Sequence, residues 1–329
     1  MSENLVISSG DKDKKSNDLL STKFPKLGNI PFFVLGLTSE KKRNKNLKKR
    51  LKYHKLEDQT TFVPGVSGIS AEVKSVLFNS KNERTYANCS PNEAACKIGH
   101  LRCLFKFLRS GSLYGFVGEN DMVPLNDFRE KFDTIFSEVP SETPLIMLSV
   151  YNSAFHGIKD VGTHFRTIGE FSFSTLGYLI SRKYAEEILN TFCKYIPNED
   201  NLDRIKYRPF AEIPAAKCLR LNPNLPESES NKRITAEIIT IKSGGLFTKL
   251  PLLVDESLDT SIQQPISNEW HLKYYAQFDH KNYAAADIDA GNEELLKLWK
   301  IPYQKPEPKL KVKKVTVTTT STATPESSK

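Results

Sequence analysis

Glu119 and Asp121 stand two residues apart in Gly115-Phe116-Val117-Gly118-Glu119-Asn120-Asp121-Met122-Val123, where a short apolar run ends. In an extended chain alternate side chains share a face, so the two carboxylates are expected to project together while Asn120 points away. Two carboxylates on one side suit a hard cation such as Mn²⁺ or Mg²⁺, which takes oxygen ligands, keeps waters and is commonly shared with substrate phosphates. An E-x-D tripeptide alone is equally what a solvated loop contains. Upstream, Glu93 and His100 lie two helical turns apart on one stripe with Lys97. His100 can donate a hydrogen bond to a ligand oxygen, though it has a plain reading as a surface histidine, as Glu93 has one as a capping residue.

These groups need a helix and a strand to position them. Ser90 is a good N-cap, Pro91 suits the first helical position, and Glu93 sits where it can bond back to the cap. Ala94, Ile98, Leu101, Phe105 and Leu108 then recur at helical spacing and can face a core, with Gly111 as a stop. The stripe of Glu93, Lys97 and His100 is expected on the opposite side. Leu113 to Val117 reads as the strand that carries Glu119 to its end. More widely, strands near Phe32, Phe62, Phe116, Ile146 and Tyr178 alternate with helical patterns after Arg43, Ser90, Asn126 and Ser181. That alternation predicts an α/β domain with a largely parallel sheet flanked by helices, whose ligands sit beyond the carboxyl ends of strands.

The expected organisation is a polar, disordered arm over 1–28, an α/β domain over 29–265, a partly helical C-terminal extension over 266–304 packing on it, and a low-complexity tail over 305–329. Trp270, Tyr274, Tyr275, Leu295, Leu296, Leu298 and Trp299 are the apolar anchors of that extension. With 329 residues and 39% hydrophobic content the chain can bury a large core. No apolar run approaches the roughly 20 residues of a transmembrane helix, and Met1-Ser2-Glu3-Asn4-Leu5 does not begin a secretory signal. Cys89, Cys96, Cys103, Cys193 and Cys218 form an odd, scattered set without a C-x-x-C pair, which predicts free thiols, with Cys96 and Cys103 as space-fillers. A soluble, cytoplasmic, reducing setting is the expectation.

The formal charge of +8 is concentrated in Lys41, Lys42, Arg43, Lys45, Lys48, Lys49, Arg50, Lys52 and Lys55, with Leu47 and Leu51 at i, i+4. This predicts a helix with a solvated basic face. A nucleic-acid-binding protein would use such a cluster, but no aromatic stacking platform, zinc pattern or helix-turn-helix accompanies it, so nucleic acid is not the expected partner.

Several motifs, taken in order, resemble glycosyltransferase family 25, which includes lipooligosaccharide sugar transferases and collagen galactosyltransferases. Ile30-Pro31-Phe32-Phe33-Val34-Leu35-Gly36-Leu37 with Arg43 beyond it is similar to the family's first strand and Arg-bearing loop. Phe62-Val63-Pro64-Gly65-Val66-Ser67-Gly68 is similar to its F-x-x-G-V-x-G segment, and Glu93, Cys96 and His100 fall on its G-E-I-G-C-x-x-S-H helix start. Glu119-Asn120-Asp121-Met122 falls on its acidic L-E-D-D-V motif, and Gly177-Tyr178-Leu179-Ile180-Ser181 with Ala185 on its Y-L-I-S-x-x-x-A junction. Leu250 to Val254 with Ser261 and Ile262 echoes its closing segment. Two positions depart from the pattern, Asn120 for a second Asp and Gly99 for a Ser.

The resemblance implies a GT-A-like nucleotide-sugar-binding fold and an inverting, metal-assisted transfer of a hexose from a UDP-sugar or similar donor to a hydroxyl of a glycan or protein acceptor. It implies Arg43 near the donor's diphosphate or base, Glu119 and Asp121 at a Mn²⁺ or Mg²⁺ ion, Glu93 and His100 at the donor pocket, and Asp200, in the acidic loop Pro197 to Asp203, as the base on the acceptor side. The alternative is a GT-A-fold binding protein that is weakly active or inactive, for which Asn120 and Gly99 are the grounds.

Overall fold

The computed structural model describes residues 23–78, 89–149, 158–168, 174–213, 219–220, 232–233, 236–240, 242–256 and 278–303. Cys218, Ser261, Ile262, Trp270, Tyr274, Tyr275 and the Lys/Val/Thr tail lie outside them. In chain order the elements are β1 (Phe32–Gly36), α1 (Lys41–Tyr53), β2 (Thr60–Pro64), α2 (Ala71–Phe78), α3 (Pro91–Arg109), β3 (Tyr114–Glu119), β4 (Met122–Pro124), α4 (Phe128–Ile135), β5 (Leu145–Met147), β6 (Asp160–Val161), β7 (Phe165–Thr167), β8 (Gly177–Ser181), α5 (Arg182–Phe192), β9 (Cys193–Tyr195), β10 (Lys206–Tyr207), β11 (Leu219–Arg220), β12 (Lys232–Arg233), β13 (Leu246–Thr248), β14 (Leu253–Asp255), α6 (Ala285–Asp289) and α7 (Glu293–Leu298).

Eight strands form one sheet in the order β2-β1-β3-β8-β5-β13-β7-β6. β2, β1, β3, β5, β13 and β6 run one way, and β8 and β7 run against them. The sheet is therefore largely parallel in direction, as expected, although the two reversed strands sit inside it. Both faces of the sheet are apolar because both are covered. Along β1, Phe33 and Leu35 point into the core made with α2, α3 and α5, while Phe32 and Val34 point into the core made with α1, α4, β4 and β14.

The helix starts follow from their caps. Ser90 Oγ accepts from the Glu93 N–H at 3.2 Å and the Ser90 N–H donates to Glu93 Oε2 at 2.7 Å, a complete capping box. Ser181 caps α5 in the same sense, accepting from the Tyr184 N–H.

Three expectations need correction. The fold begins before residue 29: Phe24 packs on Tyr114 and Phe136, and Leu27 is fully buried with its N–H on Asp133, so the polar composition of the arm concealed its last anchors. Lys97 and His100 do not face solvent but are fully buried, because α3 lies between the sheet and neighbouring elements and is covered on nearly every side. Lys97 Nζ lies 3.5 Å from the centre of the Phe192 ring. Finally, α1 is not simply a solvated basic face. Arg50 is 1% exposed, Lys42 pairs with Glu294, and Lys49 donates to the Ala290 carbonyl, so the C-terminal extension rests on this helix.

The described part of that segment, 278–303, makes contacts with the rest of the chain. Tyr283 joins the core on the α1 side and donates its O–H to the Pro251 carbonyl at 2.8 Å. Ala284, Leu296 and Ile301 make a small cluster of their own. Among the described residues, no helix is long and apolar enough to cross a membrane.

Candidate functional site

β1 has β2 on one side and β3 on the other, so the chain leaves it first in one direction and returns in the other. Such a switch point opens a crevice outside the carboxyl ends of the two strands. Gly36 ends β1 and Glu119 ends β3, with Leu35 in register with Glu119. The loop after β1 enters α1 and brings Arg43 to the same edge; the turn after β3 brings Asn120 and Asp121.

Glu119 is held from two sides. His100 Nε2 lies 3.3 Å from Glu119 Oε1, and Thr175 donates its O–H to the same oxygen at 2.5 Å. His100 Nδ1 lies 3.1 Å from the Tyr178 hydroxyl, and burial holds that phenol's pKa well above its ordinary value. A protonated Tyr178 donating to Nδ1 leaves the imidazole proton on Nε2, directed at Glu119. Burial pushes the Glu119 carboxyl up, but the hydrogen bonds from His100 and Thr175 and the Arg43 charge outweigh it, and the group stays below the usual carboxylate range.

Asp121 is shifted the other way. Burial and then the Glu119 charge raise its carboxyl to about 7, against the pull of Arg43. Arg43 Nη1 lies 3.9 Å from Asp121 Oδ2 and 3.3 Å from Glu40 Oε1. Asp121 Oδ1 is buried with no hydrogen-bond partner among the described residues. Two neighbouring carboxyl groups with opposed proton affinities are a frequent mark of a functional site.

Asn120 lies in the turn after β3, beyond the strand whose alternation was expected to place it. Its amide donates to Glu40 Oε2 and to Asn44 Oδ1, both at 2.8 Å. Gly36 makes room for this: a Cβ there would stand 2.7 Å from both Asn120 Nδ2 and Asn44 Oδ1. Gly99 has a comparable role, since a Cβ on it would meet Leu35 Cδ1 at 2.5 Å, and it lets α3 lie directly on β1.

The other anticipated residues are placed apart. Glu93 is half-buried at the start of α3, its carboxylate in the capping box, about 10 Å along the axis from His100 at 1.5 Å per residue. Asp200 pairs with Lys106 Nζ at 2.5 Å, six residues beyond His100, on the side of α3 away from the strand ends.

The sequence reading took Cys96 for a space-filler and missed Thr175 and Glu256. Cys96, His100 and Glu119 each offer a ligand atom, and the three atoms lie within 4.8 Å of one another. Glu256 follows β14; its N–H donates to the Asp121 carbonyl at 2.7 Å, and its carboxylate accepts from Asn46 at 2.8 Å and Arg50 at 2.9 Å. The i, i+4 spacing of Cys96 and His100 was a readable signal, and so was Asp255-Glu256 after the apolar run Leu252 to Val254.

No protein-family model matches the chain, and no curated protein is similar to it.

Proposed function

We propose that the protein is a GT-A-like glycosyltransferase, moving a hexose from a nucleotide-sugar donor such as a UDP-sugar to a hydroxyl of a glycan or protein acceptor. The observation that carries this reading is the meeting of Arg43, Glu119 and Asp121 at the carboxyl-end crevice between β1 and β3, the place where α/β sheets take nucleotides. Arg43 supplies a planar fork for diphosphate oxygens. Burial opposes its charge, yet Asp121, Glu40, Asp255 and Glu256 keep it firmly protonated.

The Mn²⁺ or Mg²⁺ implied by the family resemblance fits these residues, because the orphaned, buried Oδ1 of Asp121 is the kind of oxygen a hard cation satisfies. Glu119 and Asp121 would hold it, and when bound it would offset charge on a departing diphosphate. The His100–Tyr178 pair fixes the rotamer of Glu119, and Glu40 and Asn44 hold the turn through Asn120.

The second reading, a binding protein of the same fold that does not turn over, is favoured by Asn120 alone: it replaces a carboxylate of the resembled motif, and its amide N–H groups are committed to Glu40 and Asn44. Incubation with a panel of nucleotide sugars plus Mn²⁺, with nucleoside diphosphate release as readout, separates the two. Release that falls at least tenfold in Arg43→Ala supports the enzyme. Calorimetric binding of UDP without release from any donor supports the binding protein.

A further inference from the structure

We propose that Cys96, His100 and Glu119 form a three-ligand site for a borderline divalent cation, Zn²⁺ in particular, with a fourth position open to the crevice. Thiolate, imidazole and carboxylate make a mixed S/N/O set that suits zinc, whereas Mn²⁺ and Mg²⁺ prefer oxygen alone. Three protein ligands with one free position is the arrangement of zinc sites that bind water or substrate.

The geometry is near to what such an ion needs. Ligand atoms 2.0–2.3 Å from a tetrahedral centre stand about 3.3–3.8 Å apart. His100 Nε2 and Glu119 Oε1 are already 3.3 Å apart, and all three ligand atoms fall within 4.8 Å, so side-chain rotation alone closes the set. Cys96 and His100 are one turn apart on α3 and face the same way, and Glu119 reaches them from the end of β3.

The surrounding bonds are those that orient metal ligands. A coordinating histidine generally donates its other ring N–H to an acceptor, and the Tyr178 hydroxyl stands 3.1 Å from Nδ1. Thr175 does the same service for the carboxylate. Binding then requires two proton movements. The imidazole proton shifts from Nε2 to Nδ1, where it is donated to Tyr178 O, and the Cys96 thiol gives one proton to solvent. One thiolate and one carboxylate balance the charge of the ion, so nothing charged is left over in a half-buried place.

The inference does not rest on the glycosyltransferase reading, and its test uses no donor. The full chain, reduced and freed of metal, is titrated with Co²⁺ and then Zn²⁺. The expected result is one ion per chain, a thiolate-to-cobalt charge-transfer band that Zn²⁺ abolishes, and release of about one proton per ion, read by calorimetry in buffers of different ionisation enthalpy. Cys96→Ser should lose the band and at least tenfold in Zn²⁺ affinity with an unchanged Tm of the metal-free protein. Glu119→Gln should keep the band but bind at least tenfold more weakly, and Cys89→Ser should behave as the parent chain. A band that survives in Cys96→Ser, or a parent chain that takes up no Co²⁺ or Zn²⁺, overturns the site, whatever the outcome of the diphosphate-release assay.

Discussion

Asp121 and Asn120 are neighbours with opposite demands on their environment. Asp121 has its carboxyl raised to about 7 by burial and by Glu119, so the folded chain binds a proton there that the unfolded chain has lost. The stability it contributes is complete below the ordinary aspartate range and is lost as pH rises through about 7. In Asp121→Asn that loss disappears. Its Tm should therefore exceed that of the parent by several degrees at pH 8 and by little or nothing at pH 5, in metal-free buffer; equal differences at the two pH values would contradict the shift. Asn120 cannot become Asp without placing a carboxylate against Glu40 where an amide now donates. Loss of two buried hydrogen bonds is worth about 1–3 kcal/mol, a fall of several degrees for a domain of this size. Thermal melts of Asn120→Asp should show that fall, and diphosphate release should not rise. A gain in turnover would mean that the second acidic position of the resembled motif is wanted as a ligand.

At the scale of elements, α3 decides how the site is built. It carries Cys96 and His100, and its approach to β1 depends on Gly99. Gly99→Ser forces a side chain into Leu35, and overpacking of this kind costs about 1–3 kcal/mol. The expected result is a lower Tm together with weaker binding of any ligand of Glu119, and combining it with Leu35→Ala should recover part of the loss; no recovery would point to a cause other than that contact. At the other end of the helix Glu93 needs only a hydrogen-bonding carbonyl. Glu93→Gln should keep the Tm within a degree or two, while Ser90→Ala should cost about 1 kcal/mol.

Much of this scale was legible in the residues. The start of α3 was marked by Ser90, Pro91 and Glu93 together, and β1, β3 and β8 by apolar runs that end where side chains become polar. The burial of Lys97 and His100 was not, since one apolar stripe shows where a helix meets its first neighbour and nothing about its second. Strand direction was equally hidden: an apolar pentapeptide such as Gly177–Ser181 reads the same whether it lies parallel or antiparallel to its neighbours. Phe24 escaped notice because a single aromatic among polar residues has no period.

Across the whole molecule, the site depends on a part of the chain far from it in sequence. Arg50 Nε and Nη2 grip Asp287 at 2.9 and 2.8 Å, and Nη1 grips Glu256 at 2.9 Å. Glu256 in turn holds the backbone of Asp121. Arg50 is 1% exposed and Asp287 2%, so deletion of Arg50 strands a buried carboxylate and deletion of Asp287 leaves the buried guanidinium with Glu256 alone. Breaking a buried pair in this way costs about 3–5 kcal/mol, whereas two apolar replacements of matching volume can be neutral. Asp287→Ala should therefore unfold at clearly lower urea, and Arg50→Met with Asp287→Leu should regain most of the difference. If the single and double variants are equally unstable, packing rather than charge holds the extension in place.

The separation of those partners also sets an order of events on the ribosome. Arg50 and Asp287 are 237 residues apart, and at about 5–20 residues per second the acid is made about 10–50 seconds after the base. For most of that interval, until synthesis passes residue 256, α1 has a guanidinium on its inward side with neither of its carboxylates yet made, and β14 does not exist to fix the turn at Asp121. The nascent chain can form β1, α1 and β2 early, but the crevice is a late product of synthesis. A stalled chain ending before Glu256 should leave Arg50 open to a guanidinium-modifying reagent such as a dicarbonyl, and the finished protein should shield it.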